Sequence, residues 1–352
     1  MKEVTEIIMA TVKINVLSLF DGMSCGQIAL DQSGIEVDKY YASEIDKYAI
    51  EIAKKNYPNT MHVGDVTKVD GTQLDKIDLL IGGSPCQGFS FAGKQLNFND
   101  PRSALFFEFV RLLKETKPKY FLLENVRMKK EFQDIITEYL GVEPIIINSS
   151  LLSAQNRVRF YWTNIPNVTQ PIDKGIVIND ILEEVPDMSR KGGSLESYFD
   201  KHKDQPIFSK DGLCHVGNAE INGNESIKRV YHPDGKAPTL TTMQGGHREP
   251  KILCAALRGR QITKGSKEYT QMLEVRDDGK TNTLTTIQKD NVVTVDNKYY
   301  RKLSPTECER LQTAPDNYTE GVSNSQRYKM IGNGWTVAII KHILRGMKNE
   351  NY

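Results

Sequence analysis

The stretch Ile77-Asp78-Leu79-Leu80-Ile81-Gly82-Gly83-Ser84-Pro85-Cys86-Gln87-Gly88-Phe89-Ser90 decides the fold. Its apolar first half reads as a short buried strand that ends in a glycine turn. The second half is a loop stiffened by Pro85 and carrying a thiol. Open α/β sheets bind ligands beyond the carboxyl ends of their strands, so Cys86 stands where chemistry is expected. Most lone cysteines are small buried hydrophobes. Here the glycines on both sides argue for exposure, and a thiol that loses its proton is a strong nucleophile.

Strand-like runs at 14–19, 39–42, 79–81, 120–123 and 144–147 alternate with helical stretches near 24–33, 46–56, 103–116 and 129–140. This alternation predicts right-handed βαβ crossovers and a mainly parallel, doubly wound α/β sheet. After about residue 187 the character changes. Residues 188–298 are rich in Gly, Asn, Lys and Thr, and predict a smaller, mostly β domain. They contain an internal repeat, 232–244 against 276–288, each copy an Asp-Gly turn leading into a Thr-Leu-Thr-Thr run that is expected to be a strand. Near the end, Ser304-Pro305-Thr306-Glu307 has the form of a capping box with Pro at the first helical position. Gly332-Asn333-Gly334 then precedes an amphipathic stretch, 336–347, expected to pack back on the first domain. The division expected is therefore 12–187, 188–298 and 299–352.

The chain has 352 residues, 39% hydrophobic and 26% charged, enough for a full core and two domains. No apolar stretch of membrane-spanning length or leader peptide is seen, so a cytoplasmic protein is expected. The five cysteines are widely spaced, without a Cys-x-x-Cys pair, and suggest neither disulfides nor a metal site. The net charge of +1 says little, but residues 241–352 hold 18 Lys and Arg against 12 Asp and Glu. That basic bias suits a DNA-facing segment.

Phe20-Asp21-Gly22-Met23-Ser24-Cys25-Gly26 follows the first strand, where a cofactor loop belongs, yet it matches neither the dinucleotide fingerprint nor a phosphate loop. Glu44 and Asp65 stand at the ends of the next two strands and can accept hydrogen bonds from ribose and from an exocyclic amine. Three strand ends thus point to a nucleoside without pyrophosphate, S-adenosylmethionine rather than NAD. Glu124 follows the strand 120–123 and is expected on the same rim as Cys86, partly buried. Alternation along a strand would place Arg157 and Arg159 on one face, two donor forks aimed at one acceptor-rich ligand. The polar stretch 90–100 is long enough to close as a lid.

Together these residues resemble the DNA (cytosine-5)-methyltransferase family. Ser84-Pro85-Cys86-Gln87, Glu124-Asn125-Val126, Gln155-x-Arg157-x-Arg159 and Gly332-Asn333-Gly334 occur in the family's order. The resemblance covers about 12–166 and 299–347, with the variable target-recognition domain between them. It implies a Rossmann-like methyltransferase domain, and S-adenosylmethionine as cofactor with S-adenosylhomocysteine as product and no metal. The cofactor residues it implies are Phe20, Gly22, Met23, Ser24, Glu44, Ile45, Asp65, Val66, Pro85, Leu105, Asn333 and Trp335. The catalytic residues are Cys86, Glu124, Arg157 and Arg159, acting on a cytosine flipped out of duplex DNA to give 5-methylcytosine. DNA contacts are expected from Gln87, Ser90, Arg102, Thr241, Thr242, Gly245, Gly246, Arg248, Lys251, Arg258 and Arg260. The first loop is similar to the animal de novo subclass, and Trp335 stands where many bacterial members have a small or β-branched residue.

The resemblance further implies a monomer in a bacterial or phage-infected cell. It would be either half of a restriction-modification system, with a cognate endonuclease as its functional partner, or an orphan enzyme. Three other readings stand beside it: an RNA cytosine-5 methyltransferase of the same fold, a non-catalytic DNA-binding or regulatory homologue, against which Cys86 and Glu124 argue, and an NAD-dependent oxidoreductase, against which the missing dinucleotide fingerprint argues.

Overall fold

The computed structural model describes residues 13–85, 101–183, 191–198, 207–243, 248–253, 256–261, 269–274 and 299–348. Cys86, Gln87, Ser90, the stretch 90–100, Gly245, Gly246 and the second copy of the repeat lie outside the described residues.

The first half builds a seven-stranded sheet from β1 (Ile14–Leu19), β2 (Val37–Ser43), β3 (Met61–His62), β4 (Leu79–Gly82), β5 (Tyr120–Val126), β6 (Ile145–Asn148) and β7 (Val158–Thr163). Helices α1 (Cys25–Ser33), α2 (Lys47–Asn56), α3 (Pro101–Thr116) and α4 (Lys130–Leu140) alternate with them. The strand order is β3-β2-β1-β4-β5-β7-β6. The first five are mutually parallel, and β7 runs antiparallel to both β5 and β6. That reversal has a simple cause. A parallel crossover needs a dozen or more residues, and only the short stretch 149–157 separates β6 from β7. The order turns between β1 and β4, the switch point at which doubly wound sheets open a ligand crevice.

Strand periodicity explains the two-sided core. Val16, Leu79, Ile81 and Leu122 share one cluster with α1, whereas Leu17, Leu19, Leu80, Phe121 and Leu123 share the other with α3 and α4. Successive side chains of a strand point to opposite faces, so each strand feeds both clusters. Helix α1 ends at Gly34, whose φ of 62° is the left-handed conformation that glycine adopts without strain. Helix α2 begins at Asp46, whose carboxylate accepts from the backbone N–H of Tyr48 and Ala49.

Beyond the sheet, β8 (Lys191–Tyr198), β9 (His215–Ala219), β10 (Arg229–Tyr231) and β11 (Lys251–Leu253) precede the hairpin β12 (Ala256–Gln261) and β13 (Tyr269–Glu274). With β14 (Tyr299–Lys302), the first four close a small barrel in the order β10-β11-β14-β8-β9, and a short helix, α5 (Glu225–Lys228), sits between β9 and β10. The first Thr-Leu-Thr-Thr run differs from its expectation. After the Asp234-Gly235 turn, residues 239–243 form no strand. A single bridge, Gln155 to Ala237, ties the start of this segment to the first domain, and Thr239 Oγ1 donates to the carbonyl of Asn156 at 2.7 Å. The segment is a strap laid against the stretch that leads into β7, so its hydrogen bonds go there and not to a neighbouring strand.

Helices α6 (Pro305–Leu311), α7 (Asn324–Asn333) and α8 (Val337–Lys348) complete the chain. The capping box forms at Ser304 and Glu307, and Glu307 also holds Arg301 of the barrel through two hydrogen bonds of 2.7 and 2.8 Å. The apolar face of α8 joins the α1 cluster. A Cβ on Gly346 would fall 2.1 Å from the carbonyl oxygen of Pro166, so only glycine permits this docking.

Candidate active site

The carboxyl ends of β1, β2, β4 and β5 surround a cleft of about 430 Å³, closed on its far side by residues 330 and 332–335. Its wall brings together Phe20, Gly22, Glu44, Ile45, Asp65, Val66, Pro85, Leu105, Asn333 and Trp335, ten of the expected cofactor residues, with Glu124, Arg157 and Arg159. Met23 and Ser24 are placed differently: both are fully buried and absent from the wall. Ser24 starts α1 in a left-handed conformation, and its hydroxyl donates to the Asp21 carboxylate.

Each strand end holds its side chain by local bonds. Glu44 accepts from the N–H of Gly22 at 2.7 Å with one oxygen, and from those of Ile45 and Asp46 at 2.7 and 2.8 Å with the other. The same carboxylate therefore fixes the turn after β1 and the start of α2. Asp65 uses one oxygen to accept from the Thr67 N–H and hydroxyl, which holds its carboxyl below the usual range. Ile45 is 77% exposed, an apolar plate offered to a flat ligand. Asp21 is buried on the floor, accepting from Ser24 and from Tyr40 OH at 2.7 Å. Burial pushes its carboxyl up to about 6, against the opposing effect of those hydrogen bonds.

The wall thus carries five carboxylates, Asp21, Glu44, Asp46, Asp65 and Glu124, against two guanidinium groups. A pyrophosphate would be repelled there. A nucleoside carrying positive charge would be attracted, and the ribose-ready carboxylates and the apolar plate fit such a molecule.

Glu124 lies inside β5 and not beyond it; β5 continues to Val126 because it pairs with β7 through Tyr161, Phe160 and Arg159. Its carboxylate is nearly buried, with Arg159 Nε 3.0 Å from one oxygen as an ion pair whose N–H does not point at that oxygen. Next to it, Asn125 is buried, and its amide donates to the Ser84 hydroxyl at 3.2 Å and carbonyl at 3.4 Å. One strand end thus supplies an acid to the cleft and a hook to the loop that leads directly into Cys86. Gly83 fits between them, since a Cβ would lie 2.8 Å from Trp335 Nε1 and 3.2 Å from a Glu124 oxygen.

The two arginines part company. Arg159 faces Glu124, whereas Arg157 donates to the carbonyls of Leu240, Gly332 and Gly334 at 3.3, 3.4 and 3.1 Å. Burial and the neighbouring Arg159 charge lower Arg157 to about 10. Sequence reasoning missed the parts played by Asp21, Asp46, Asn125 and Gly83. Asn125 stood in a quoted motif, but nothing in the sequence says that its amide reaches a loop forty residues earlier.

Of the expected DNA contacts, Thr241 and Arg248 are exposed and Thr242 is half-buried. Arg102 falls in the first turn of α3, and Arg258 and Arg260 occupy alternate positions of β12 opposite Met272 and Thr270. Lys251 departs from expectation: it is 1% exposed in the barrel, its ammonium donating to the carbonyls of Ile227 and Glu249. Among the described residues no group of three metal-ligating side chains occurs, and no helix is long and apolar enough to cross a membrane.

Comparison with known proteins agrees with this architecture. The type II methyltransferase M1.ScrFI of Lactococcus lactis subsp. cremoris is 32% identical over 355 residues, covering 96% of this chain and 78% of that protein. The orphan methyltransferase M.Rho11sI of Bacillus phage rho11s is 28% identical, covering 95% and 97%. The structure of the Entamoeba histolytica methyltransferase EhMeth has the same fold, with a TM-score of 0.64 at 16% identity, covering 97% of this chain and all of that one. The model of the C-5 cytosine-specific DNA methylase family matches residues 14–349, nearly the whole chain, and the protein therefore belongs to that family.

Proposed function

We propose that this DNA (cytosine-5)-methyltransferase acts through a covalent bond between Cys86 and carbon 6 of a cytosine swung out of the duplex. The observation that carries the reading is the junction at the ends of β4 and β5. There Glu124 enters the cleft beside Arg159, and Asn125 pins Ser84, two residues before the thiol.

Carbon 5 of cytosine is a weak nucleophile. Addition of the Cys86 thiolate to carbon 6 moves the ring's π pair to carbon 5, which then accepts an electrophilic methyl group. S-adenosylmethionine, when bound, supplies that methyl on a sulfonium and leaves as S-adenosylhomocysteine. An unperturbed thiol (pKa ~8.5) is only slightly ionised near neutrality, so donors around the loop must favour the thiolate. Glu124 holds the N3 and amine edge of the ring, and Arg159 orients Glu124 and faces the ring carbonyl. Loss of the carbon 5 proton restores the double bond and expels Cys86. The cofactor lies along Phe20, Gly22, Glu44, Ile45, Asp65, Val66, Pro85, Leu105, Asn333 and Trp335. The anionic wall supports a cationic cofactor. Swinging the base out costs a few kcal/mol, which contacts to double-stranded DNA must supply.

The enzyme acts as a monomer in the cytoplasm of a bacterial or phage-infected cell, as the modification half of a restriction system or as an orphan enzyme. The names of the relatives, an orphan methyltransferase of a phage and a type II methyltransferase of a bacterium, support the restriction or orphan role. The test is tritium transfer from labelled cofactor to DNA by wild type and by Cys86→Ser, with adduct trapping on 5-fluorocytosine DNA. Wild type should label DNA and form a stable adduct; full transfer by the variant would overturn the assignment. Bisulfite sequencing of DNA from expressing cells then gives the target site.

A further inference from the structure

Arg157 is a buried cation in the cleft wall, 4% exposed. Its guanidinium is held by three backbone carbonyls from two separate segments, Leu240 on the strap and Gly332 and Gly334 on the turn after α7. The strap and the turn also touch directly. A Cβ on Gly332 would lie 2.0 Å from the carbonyl oxygen of Thr241 and 2.9 Å from the N–H nitrogen of Thr242, so the two backbones are in contact. Each segment is tied elsewhere. The strap is anchored beside Arg157, with Asn156 N–H donating to Ala237 at 2.8 Å and the Thr239 hydroxyl donating to Asn156. The turn is braced by Gln312, whose amide donates to Ile331 and Gly334 at 2.9 and 3.1 Å. The strap's outer side presents Thr241 to solvent, and the turn's inner side presents Asn333 and Trp335 to the cleft.

Resting on the functional reading above, we propose that Arg157 is a positioning residue that couples DNA binding to cofactor binding, acting through backbone and not on the base. DNA seated on Thr241 and Thr242 restrains the strap. Through the planar, multi-donor guanidinium and the Gly332 contact, the same restraint fixes the turn that carries Asn333 and Trp335. Here the carbonyls are reached from two nitrogens, Nη1 to Leu240 and Gly332 and Nη2 to Gly334, a span that the single nitrogen of a lysine does not reproduce. Coupling of this kind is reciprocal, so bound cofactor tightens DNA by the factor by which DNA tightens cofactor.

The test titrates S-adenosylhomocysteine, followed by Trp335 emission, with and without a duplex carrying the target site. Trp335 is one of two tryptophans in the chain, and the other, Trp162, is sealed in the core. The duplex should tighten S-adenosylhomocysteine on the wild type about tenfold, within the range usual for coupled sites. Arg157→Lys, and independently Thr239→Val, which loosens the strap without touching the cleft wall, should each reduce that factor to about two. Affinity measured without DNA should change less than about twofold in Thr239→Val, which stands off the cleft wall; for Arg157→Lys, which is part of that wall, the readout is the coupling factor alone. Three results would overturn the proposal: a wild type whose titration ignores DNA, variants that keep the full factor, or variants that lose affinity equally in both conditions, as a purely structural role would give. If Arg157→Lys does not fold, Thr239→Val decides alone. A wild type that binds S-adenosylhomocysteine and DNA but transfers no methyl group would instead sink the functional reading, leaving the coupling measurement intact.

Discussion

Replacing Asp21 by Asn should make the protein more stable and worse at holding its cofactor. The carboxyl is 8% exposed, and burial raises it from 3.8 to about 6. A carboxyl whose folded value lies above its unfolded one contributes stability that is complete below the unfolded value and lost as pH rises through the folded one. The difference of about two pH units corresponds to about 3 kcal/mol lost by pH 7.5. An Asn side chain can still accept from Tyr40 OH, but its amide turns the Ser24 hydroxyl from donor to acceptor and takes away that hydroxyl's own acceptor, which makes the gain smaller than the full value. Urea unfolding at pH 7.5 should therefore show Asp21→Asn more stable by up to about 3 kcal/mol, with the gain shrinking toward zero as pH approaches 4. In parallel, the wild type's affinity for S-adenosylmethionine should fall below about pH 6, by at most ~tenfold per pH unit for a single proton, and the variant should lack that dependence. A variant less stable than wild type at pH 7.5, or a difference independent of pH, would refute the reasoning.

Other perturbations address separate parts of the site. Gly83→Ala puts a methyl 2.8 Å from Trp335 Nε1 and 3.2 Å from Glu124, and should lower kcat roughly 10- to 100-fold by displacing the acid; unchanged single-turnover rates would count against that packing. Asn125→Ala removes the hook on Ser84, so kcat should drop at least about tenfold while affinity for S-adenosylhomocysteine stays at the wild-type value, as measured by titration. Arg248→Ala should reduce the slope of log DNA affinity against log salt by about one, whereas Lys251→Met, whose ammonium is already turned inward, should leave that slope unchanged in the same filter-binding series.

The sheet was legible because its strands are short apolar runs punctuated by glycine and by Pro118, and β1, β4 and β5 fall where those runs predict. Two strand ends were legible for the same reason: a polar residue at the end of a buried run is turned to the cleft, which is how Glu44 and Glu124 could be singled out, whereas Asp65 stands beyond the short, unburied β3. Periodicity does not report direction. The reversal of β7 follows from a loop length that becomes decisive only once β6 and β7 are known to be neighbours.

What a side chain touches was less legible still. Alternation places Arg157 and Arg159 on one face of a strand, but Arg157 stands just before β7 begins at Val158, where the chain has turned toward the strap. It therefore meets carbonyls and not a carboxylate. The same limit explains Lys251. A basic residue in a basic segment reads as a surface cation, yet in a narrow barrel alternate positions face inward, and an ammonium there survives by donating to carbonyls at the barrel's end. Both errors have one origin. Sequence pattern assigns a charge to a face, whereas its partner is fixed by backbone carbonyls left over where regular structure stops. In this protein those leftover carbonyls lie on the strap, at Leu240, and on the turn that walls the cleft, at Gly332 and Gly334. A single guanidinium that donates to all three ties the strap to the turn, the contact on which the proposed coupling rests, and no motif spelled residue by residue could have revealed it.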